Sequence, residues 1–72
     1  MWEHLIWQDP DRMSGSPCIY ETRVRVQDLF DWIANGGSLD SFLNTYPHIP
    51  RDRVVGVLRL AESGLLRQLE AA

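Results

Sequence analysis

The sequence predicts a mainly α-helical domain with a short β segment near its N-terminus, and three observations support this class. The first 26 residues contain short strand patterns separated by turn residues, and Arg23-Val24-Arg25-Val26 alternates strictly between polar and apolar residues. From Gln27 onward they recur every three or four residues, as on one face of a helix. Two turn motifs, Asn35-Gly36-Gly37 and Tyr46-Pro47-His48, divide this second region. We therefore expect one domain over residues 1–72, a three-helix helix-turn-helix fold that resembles a winged helix.

Residues 1–26 are expected to form a β-rich segment that mediates dimerisation. Strand patterns occur in His4-Leu5-Ile6-Trp7, in Pro17-Cys18-Ile19-Tyr20 and in Arg23-Val24-Arg25-Val26, whose valines should face inward and whose arginines should face out. Three short strands cannot close a sheet alone, so pairing with the same strands of a second copy would cover their edges. The residues expected at this dimer interface are Trp2, Leu5, Ile6, Trp7 and Ile19.

Residues 27–64 should form the helix-turn-helix, beginning with two short helices. The first carries the apolar stripe Val26, Leu29, Phe30 and Ile33 and ends at the two glycines that follow Asn35. The second opens on Ser38 as its N-cap and must end before Pro47. Its apolar residues are Leu39, Phe42, Leu43 and Tyr46.

The third helix is predicted to begin at Pro50, a residue well suited to a first helical turn. Its inward residues are expected to be Val54, Val57 or Leu58, Ala61 and Leu65. Gly56, costly inside a helix, should mark a close helix crossing or the approach of a ligand. Gly64 is a candidate for the end of this helix, which would leave residues 65–72 as a further turn or an amphipathic tail.

The segment from Tyr46 to Arg53 ends one helical pattern and opens the next on two arginines, as a DNA-binding helix-turn-helix does. Arginine is suited to bidentate contact with guanine or phosphate. The residues expected to contact DNA are Arg51, Arg53, Val55 and Arg59, which follow the face opposite the apolar stripe. A plain helical hairpin with solvated arginines fits the same residues and remains the alternative.

Composition limits the class of function. The net charge of −3 argues against a general nucleic-acid coat, although all seven basic residues are arginine. Cys18 is the single cysteine, and beside His4 and His48 it offers no metal site, no cofactor site and no activated nucleophile, so we do not expect an enzyme. The N-terminal residues lack the pattern of a signal peptide, and no apolar run approaches the roughly 20 residues of a membrane span. We expect a soluble cytoplasmic protein that does not enter a membrane.

Several motifs resemble those of a family of small bacterial proteins. The resemblance covers about residues 6–62, which is most of the chain. These motifs are Asp9-Pro10, Gly15-x-Pro17, Thr22-Arg23-Val24-x-Val26, Gly36-Gly37-Ser38 and Tyr46-Pro47-His48. They resemble the domain-of-unknown-function 433 family, which is generally regarded as VapB-type antitoxins with a winged or simple helix-turn-helix. The family usually has glycine where this chain has Glu21. Because glutamate tolerates positive φ poorly, the resemblance leaves the geometry of this turn open.

The resemblance implies an antitoxin that binds a PIN-like ribonuclease toxin and, together with it, operator DNA. Acidic residues or an inserted apolar segment would block the basic cleft expected of such a toxin. We place toxin binding on the C-terminal segment, at Leu65, Leu66, Arg67 and Leu69. The alternative is a dimeric protein-interaction module, or a transcriptional regulator without a toxin partner.

Overall fold

The protein is a small, mainly helical structure with a two-stranded antiparallel sheet near its N-terminus. This computed structural model describes residues 4–11 and 15–71. Strand β1 (Ile6–Trp7) pairs with β2 (Cys18–Ile19), with Ile6 opposite Ile19 and Trp7 opposite Cys18. Three helices follow: α1 (Val26–Ala34), α2 (Leu39–Thr45) and α3 (Arg51–Ala71). The predicted mainly helical class with a short N-terminal β segment is confirmed.

The two strands pair with each other inside one chain. The predicted third strand is wrong, because residues 23–25 contribute only an isolated bridge between Arg25 and Cys18 before α1 begins at Val26. The predicted orientation of its side chains is nevertheless correct. Val24 and Val26 pack against the core, whereas Arg23 and Arg25 are exposed.

A tight turn over residues 19–24 replaces that third strand, and Thr22 organises it. The buried Thr22 hydroxyl donates to the Ile19 carbonyl at 2.8 Å and accepts from the Val24 amide at 3.1 Å. The Ile19 amide donates to the Val24 carbonyl at 2.9 Å, which closes the loop. Every polar group of this buried side chain is thus satisfied inside the turn.

Glu21, in the middle of this turn, has a φ of 62°. Only glycine adopts this left-handed conformation without a steric cost, so the glutamate is strained. Glu21 thus adopts a conformation that a glycine would favour. The hydrogen bonds of Thr22 hold the backbone in place against the strain.

Helices α1 and α2 begin and end where their local sequence predicts. The α1 helix ends at Ala34, and Gly36 follows with a φ of 93°. At the start of α2, the Ser38 hydroxyl accepts from the Ser41 amide at 3.0 Å, and the Ser41 hydroxyl accepts from the Ser38 amide at 3.1 Å. This reciprocal capping satisfies two amide groups that the helix leaves without an internal partner.

The core lies where the sheet, α1, α2 and the first half of α3 meet. Its buried apolar side chains are Ile19, Leu29, Phe42, Ile49, Val54 and Val57. On α1, Trp32 packs against this core, whereas Ile33, which the stripe placed inward, is 38% exposed. The predicted stripe is confirmed at Val26 and Leu29, but in the last turn of α1 the residue that faces the core is Trp32 and not Ile33.

The first half of α3 is anchored and the second half is not. Val54 and Val57 are buried and Leu58 packs beside them, but Ala61 and Leu65 are exposed, contrary to prediction. Gly56 lies against the Leu5 side chain, whose Cδ2 is 2.6 Å from where a Cβ would stand. Its close neighbour is thus the segment before β1, and the predicted helix crossing is wrong.

The prediction that Gly64 could end the third helix is also wrong, because α3 continues to Ala71. Glycine inside a helix costs about 1 kcal/mol relative to alanine, which is too little to interrupt a long helical segment. At 1.5 Å per residue, α3 is roughly 31 Å long. Its C-terminal half therefore projects from the domain.

Phe42 offers a test of this core. Its ring is fully buried and contacts those of Trp32 and Tyr46, at centroid distances of 5.8 and 4.9 Å. We expect Phe42→Ala to lower the free energy of unfolding by about 3–5 kcal/mol, nearly the whole stability of so small a domain. Thermal unfolding followed by circular dichroism measures this loss. The matched change at half-buried Phe30, Phe30→Ala, should cost clearly less, and equal losses would contradict this core.

Candidate functional site

Two of the predicted DNA-contacting arginines, Arg51 and Arg59, are exposed on α3. Their side chains are 62% and 75% accessible, and each forms an exposed ion pair. The Arg51 guanidinium donates to Asp40 at 2.8 Å, and that of Arg59 donates to Glu62 at 3.2 Å. Such pairs contribute at most about 1 kcal/mol, so both arginines can exchange their partners for an external anion.

Arg53 has a different role, because it joins α3 to the turn after β2. Its guanidinium donates to the Tyr20 carbonyl at 2.8 Å, lies 3.6 Å from the Glu21 carboxylate and stands over the Tyr20 ring, 5.6 Å from its centroid. The side chain is 22% exposed. Arg53 is thus committed to the fold, and little of it is left for a ligand.

The surface around Arg51 and Arg59 is mixed in charge. Val55, predicted beside them, is half-buried and lines a shallow notch of about 290 Å³ together with Leu39, Leu58, Arg59 and Glu62. The carboxylates of Asp40 and Glu62 pair with the two arginines, and Asp52 is exposed in the first turn of α3. This face therefore does not form a purely basic patch.

The predicted dimer interface divides into three cases. Trp2 lies outside the described residues. Ile19 is fully buried in the core of its own chain, which leaves it no surface for a second copy. Leu5, Ile6 and Trp7 are half-buried, and Trp7 donates its indole N–H to the Thr22 carbonyl at 2.8 Å. For these three residues, pairing between copies stays a prediction.

The predicted toxin-binding residues lie on the projecting half of α3. Leu65, Leu66 and Leu69 are 57%, 50% and 63% exposed. Leu65 and Leu69, four residues apart, share one face of the helix, and Leu66 borders it. Arg67 is two residues beyond Leu65, about 200° around the helix axis, so it points away from Leu65 and Leu69. The leucines form one surface and Arg67 another.

Cys18, the single cysteine of the chain, is buried. Burial, with a smaller contribution from the Asp28 charge, raises the pKa of the Cys18 thiol, so the sulfur is protonated at neutral pH. Over residues 4–11 and 15–71, no three His, Cys, Asp or Glu side chains gather as metal ligands would. Of the helices described, α3 alone has the length to cross a bilayer, and it is too polar to do so.

Comparison with models of known families gives a match over most of the chain. The model of a family described as "Protein of unknown function (DUF433)" matches residues 6–61. The chain belongs to the DUF433 family. No curated protein and no solved structure matches it. The DUF433 match covers both strands, α1, α2 and the anchored half of α3, and it ends before the exposed leucines.

The sequence alone did not indicate the partners of Arg53. Tyr20 and Glu21 lie more than thirty positions earlier, in a segment predicted to be a strand and a turn. An arginine near the start of a helix is unfavourably placed with respect to the helix dipole, which indicates an anionic or carbonyl partner. In this DUF433 protein the partner lies within the chain.

The three arginines can be distinguished by their effect on stability. Arg53→Ala should lower the free energy of unfolding by about 1–2 kcal/mol, because it removes a charge-assisted hydrogen bond to a main-chain carbonyl. Arg51→Ala and Arg59→Ala should change it by less than about 1 kcal/mol, because their ion pairs are exposed. Urea unfolding of the three variants measures the difference. Equal effects would contradict the structural role of Arg53.

Proposed function

We propose that this protein is the antitoxin of a type II toxin–antitoxin pair, and that it binds a PIN-like ribonuclease toxin through the projecting half of α3. One observation carries this proposal: Leu65, Leu66 and Leu69 are half or more exposed on consecutive turns of a helix. The antitoxin role itself is supported by the resemblance of the chain to VapB-type proteins.

The exposed leucines prolong the buried stripe of α3. Val54 and Leu58 pack in the domain, and Leu65 and Leu69 follow on the same side of the helix one and two turns beyond Ala61. A partner that covers them would extend the core of the domain along the helix. Burying three half-exposed leucines contributes on the order of 3 kcal/mol to binding.

The projecting segment would also gain stability from a partner. Residues 61–71 are exposed throughout, and they include Gly64. Helical segments of this length are marginal in water when nothing packs against them. Docking on another protein would stabilise the helix and bury its apolar face together, as in helix-in-groove recognition.

The leucine surface can be tested with the combined variant Leu65→Gln, Leu66→Gln and Leu69→Gln. We expect it to bind the PIN-like protein encoded in an adjacent reading frame at least about tenfold more weakly, because the variant has no apolar surface for the toxin to cover. Calorimetry measures the affinity, and cleavage of an RNA substrate by the toxin measures neutralisation. Circular dichroism should show that the anchored domain remains folded.

The matched control is the variant Ser63→Gln and Ala71→Gln, whose positions are exposed on the side of the helix away from Leu65 and Leu69 and which leaves the charge unchanged. It should bind and inhibit the toxin as the wild type does. If the leucine variant still neutralises the toxin fully, the projecting half of α3 is not the toxin-binding element. If no ribonuclease encoded nearby binds the wild type, the antitoxin proposal is wrong.

Operator binding is a second candidate function, and the exposure of Arg51 and Arg59 favours it. Helix α2, the turn that follows and the start of α3 come in the order of a helix-turn-helix, and both arginines are accessible on α3. On this proposal, a dimer would place two such helices on successive half-sites. Contacts with phosphate would replace the ion pairs with Asp40 and Glu62.

The salt dependence of operator binding tests this second function. Replacing both Arg51 and Arg59 by alanine should weaken binding and reduce the slope of log K against log salt by about 1 for each phosphate that is no longer neutralised. The change Arg23→Ala with Arg67→Ala removes the same charge from exposed positions elsewhere and serves as the control. Equal weakening in both double variants would indicate non-specific attraction, and the helix-turn-helix would not be the reader.

A further inference from the structure

A pocket between α1 and the end of α2 has a lining suited to a cationic side chain. It is shallow and open to solvent, with a volume of about 600 Å³. Asp28 and Tyr46 also line a second cavity of about 530 Å³, which extends the pocket into a groove. The first cavity, called here the aromatic–acidic pocket, is lined by Asp28, Asp31, Trp32, Asn35, Gly37 and Tyr46.

Trp32 forms a fixed wall of this pocket. Its indole N–H donates to the Ser41 hydroxyl at 2.9 Å, and its ring meets Phe42 edge-on at 5.8 Å. Its indole also covers Gly37, where a Cβ would collide with the ring. Because the ring is held on three sides, a ligand that stacks on it loses little affinity to ordering the wall.

Tyr46 provides a second aromatic surface. Its ring packs on buried Phe42 at 4.9 Å and lies 6.5 Å from the ring of His48. The residue is half-buried, so part of the ring remains accessible from the pocket. The faces of tyrosine and tryptophan rings attract cations, and arginine stacks on them best.

Two carboxylates give the pocket a negative charge. Asp31 is exposed, and its side chain accepts a hydrogen bond from the neutral Gln27 amide at 2.9 Å. Asp28 is paired with Arg25 at 3.0 Å, which offsets one of the two charges. None of the described residues that line this cavity is basic, whereas Arg23 and His48 line the adjoining cavity. A cation is therefore favoured in the first cavity over the second.

We infer that the aromatic–acidic pocket binds an arginine side chain presented by a partner protein. The guanidinium stacks on the aromatic walls and donates to the carboxylate of Asp31, and arginine is preferred to lysine because it is planar and forms bidentate contacts. Gly37 and Tyr46 come from two motifs that carry the family resemblance, whereas the exposed leucines lie beyond the matched residues. Only the identification of the partner with the toxin rests on the proposed function.

Titration with short peptides tests the pocket without any toxin. The probes are acetyl-Gly-X-Gly-amide peptides in which X is arginine, lysine or citrulline, followed by the ¹H–¹⁵N spectrum of the protein. The arginine peptide should shift the Trp32 indole signal and the Asp31 and Gly37 amides in a saturable way, and lysine should do so more weakly. Citrulline, which has the shape of arginine without its charge, should have no effect.

Two variants with the same change of charge complete the experiment. Asp31→Asn should weaken arginine binding by up to about fivefold, whereas Asp52→Asn, exposed on α3, should leave it unchanged. Equal shifts with citrulline, shifts that do not saturate, or equal effects of the two variants would overturn the pocket. The spectrum of each variant also shows that it is folded.

Binding of the toxin can be measured independently of binding of the peptide. If the wild type binds both the toxin and the arginine peptide, Asp31→Asn should weaken both complexes. Peptide binding without any toxin binding would refute the proposed function and leave the pocket established. Toxin binding without peptide binding would refute the pocket alone. Toxin affinity that is insensitive to Asp31→Asn would show that the arginine comes from another partner.

Discussion

The turn over residues 19–24 is the constraint on which the rest of the structure depends, because the sheet and the longest helix both hydrogen-bond to it. Trp7 on β1 donates to the Thr22 carbonyl, and Arg53 on α3 donates to the Tyr20 carbonyl. The strands are two residues each, so their own pairing offers few backbone bonds. The side chains of Trp7 and Arg53 supply hydrogen bonds to the turn that the backbone of a longer sheet would otherwise provide. Within the turn held in this way, Glu21 keeps a positive φ.

Because Arg53 is bonded within the fold, it contributes little to the charged surface of the protein. The two arginines at the start of α3 are equivalent in the sequence pattern, yet one is 62% exposed and the other is enclosed by Tyr20 and Glu21. The fold thereby removes one cation from the predicted DNA face and pairs the remaining two with carboxylates. An overall charge of −3 and a mixed face favour recognition of a protein over strong, non-specific binding of nucleic acid.

Local chemistry predicted where α1 ends and where α2 begins, and long-range contacts limited the rest. Ser38 and Gly36 mark helix ends through hydrogen bonds and φ angles that depend on immediate neighbours, so the sequence was sufficient there. The contact of Arg53 with Tyr20 joins residues 33 positions apart, and no local pattern specifies it. The pairing of β1 with β2 likewise joins segments that are distant in the sequence. Leu65 follows the periodicity of the buried residues of α3 and was therefore predicted to face inward, yet it is exposed. Periodicity shows which face of a helix is apolar, but not how much of the helix the domain covers.

The leucines of α3 and the aromatic–acidic pocket would contribute differently to one interface. An apolar stripe supplies binding energy but discriminates weakly, since many hydrophobic surfaces can cover it. A fixed pocket with one charge and two ring faces contributes less energy and adds a preference for a cation, because an uncharged side chain forms no ion pair with Asp31. The pocket draws Gly37 and Tyr46 from the family-matched region, and the leucines lie outside it. Selectivity for a cation would then reside within residues 6–61, and the apolar contribution in the part of the helix that follows them.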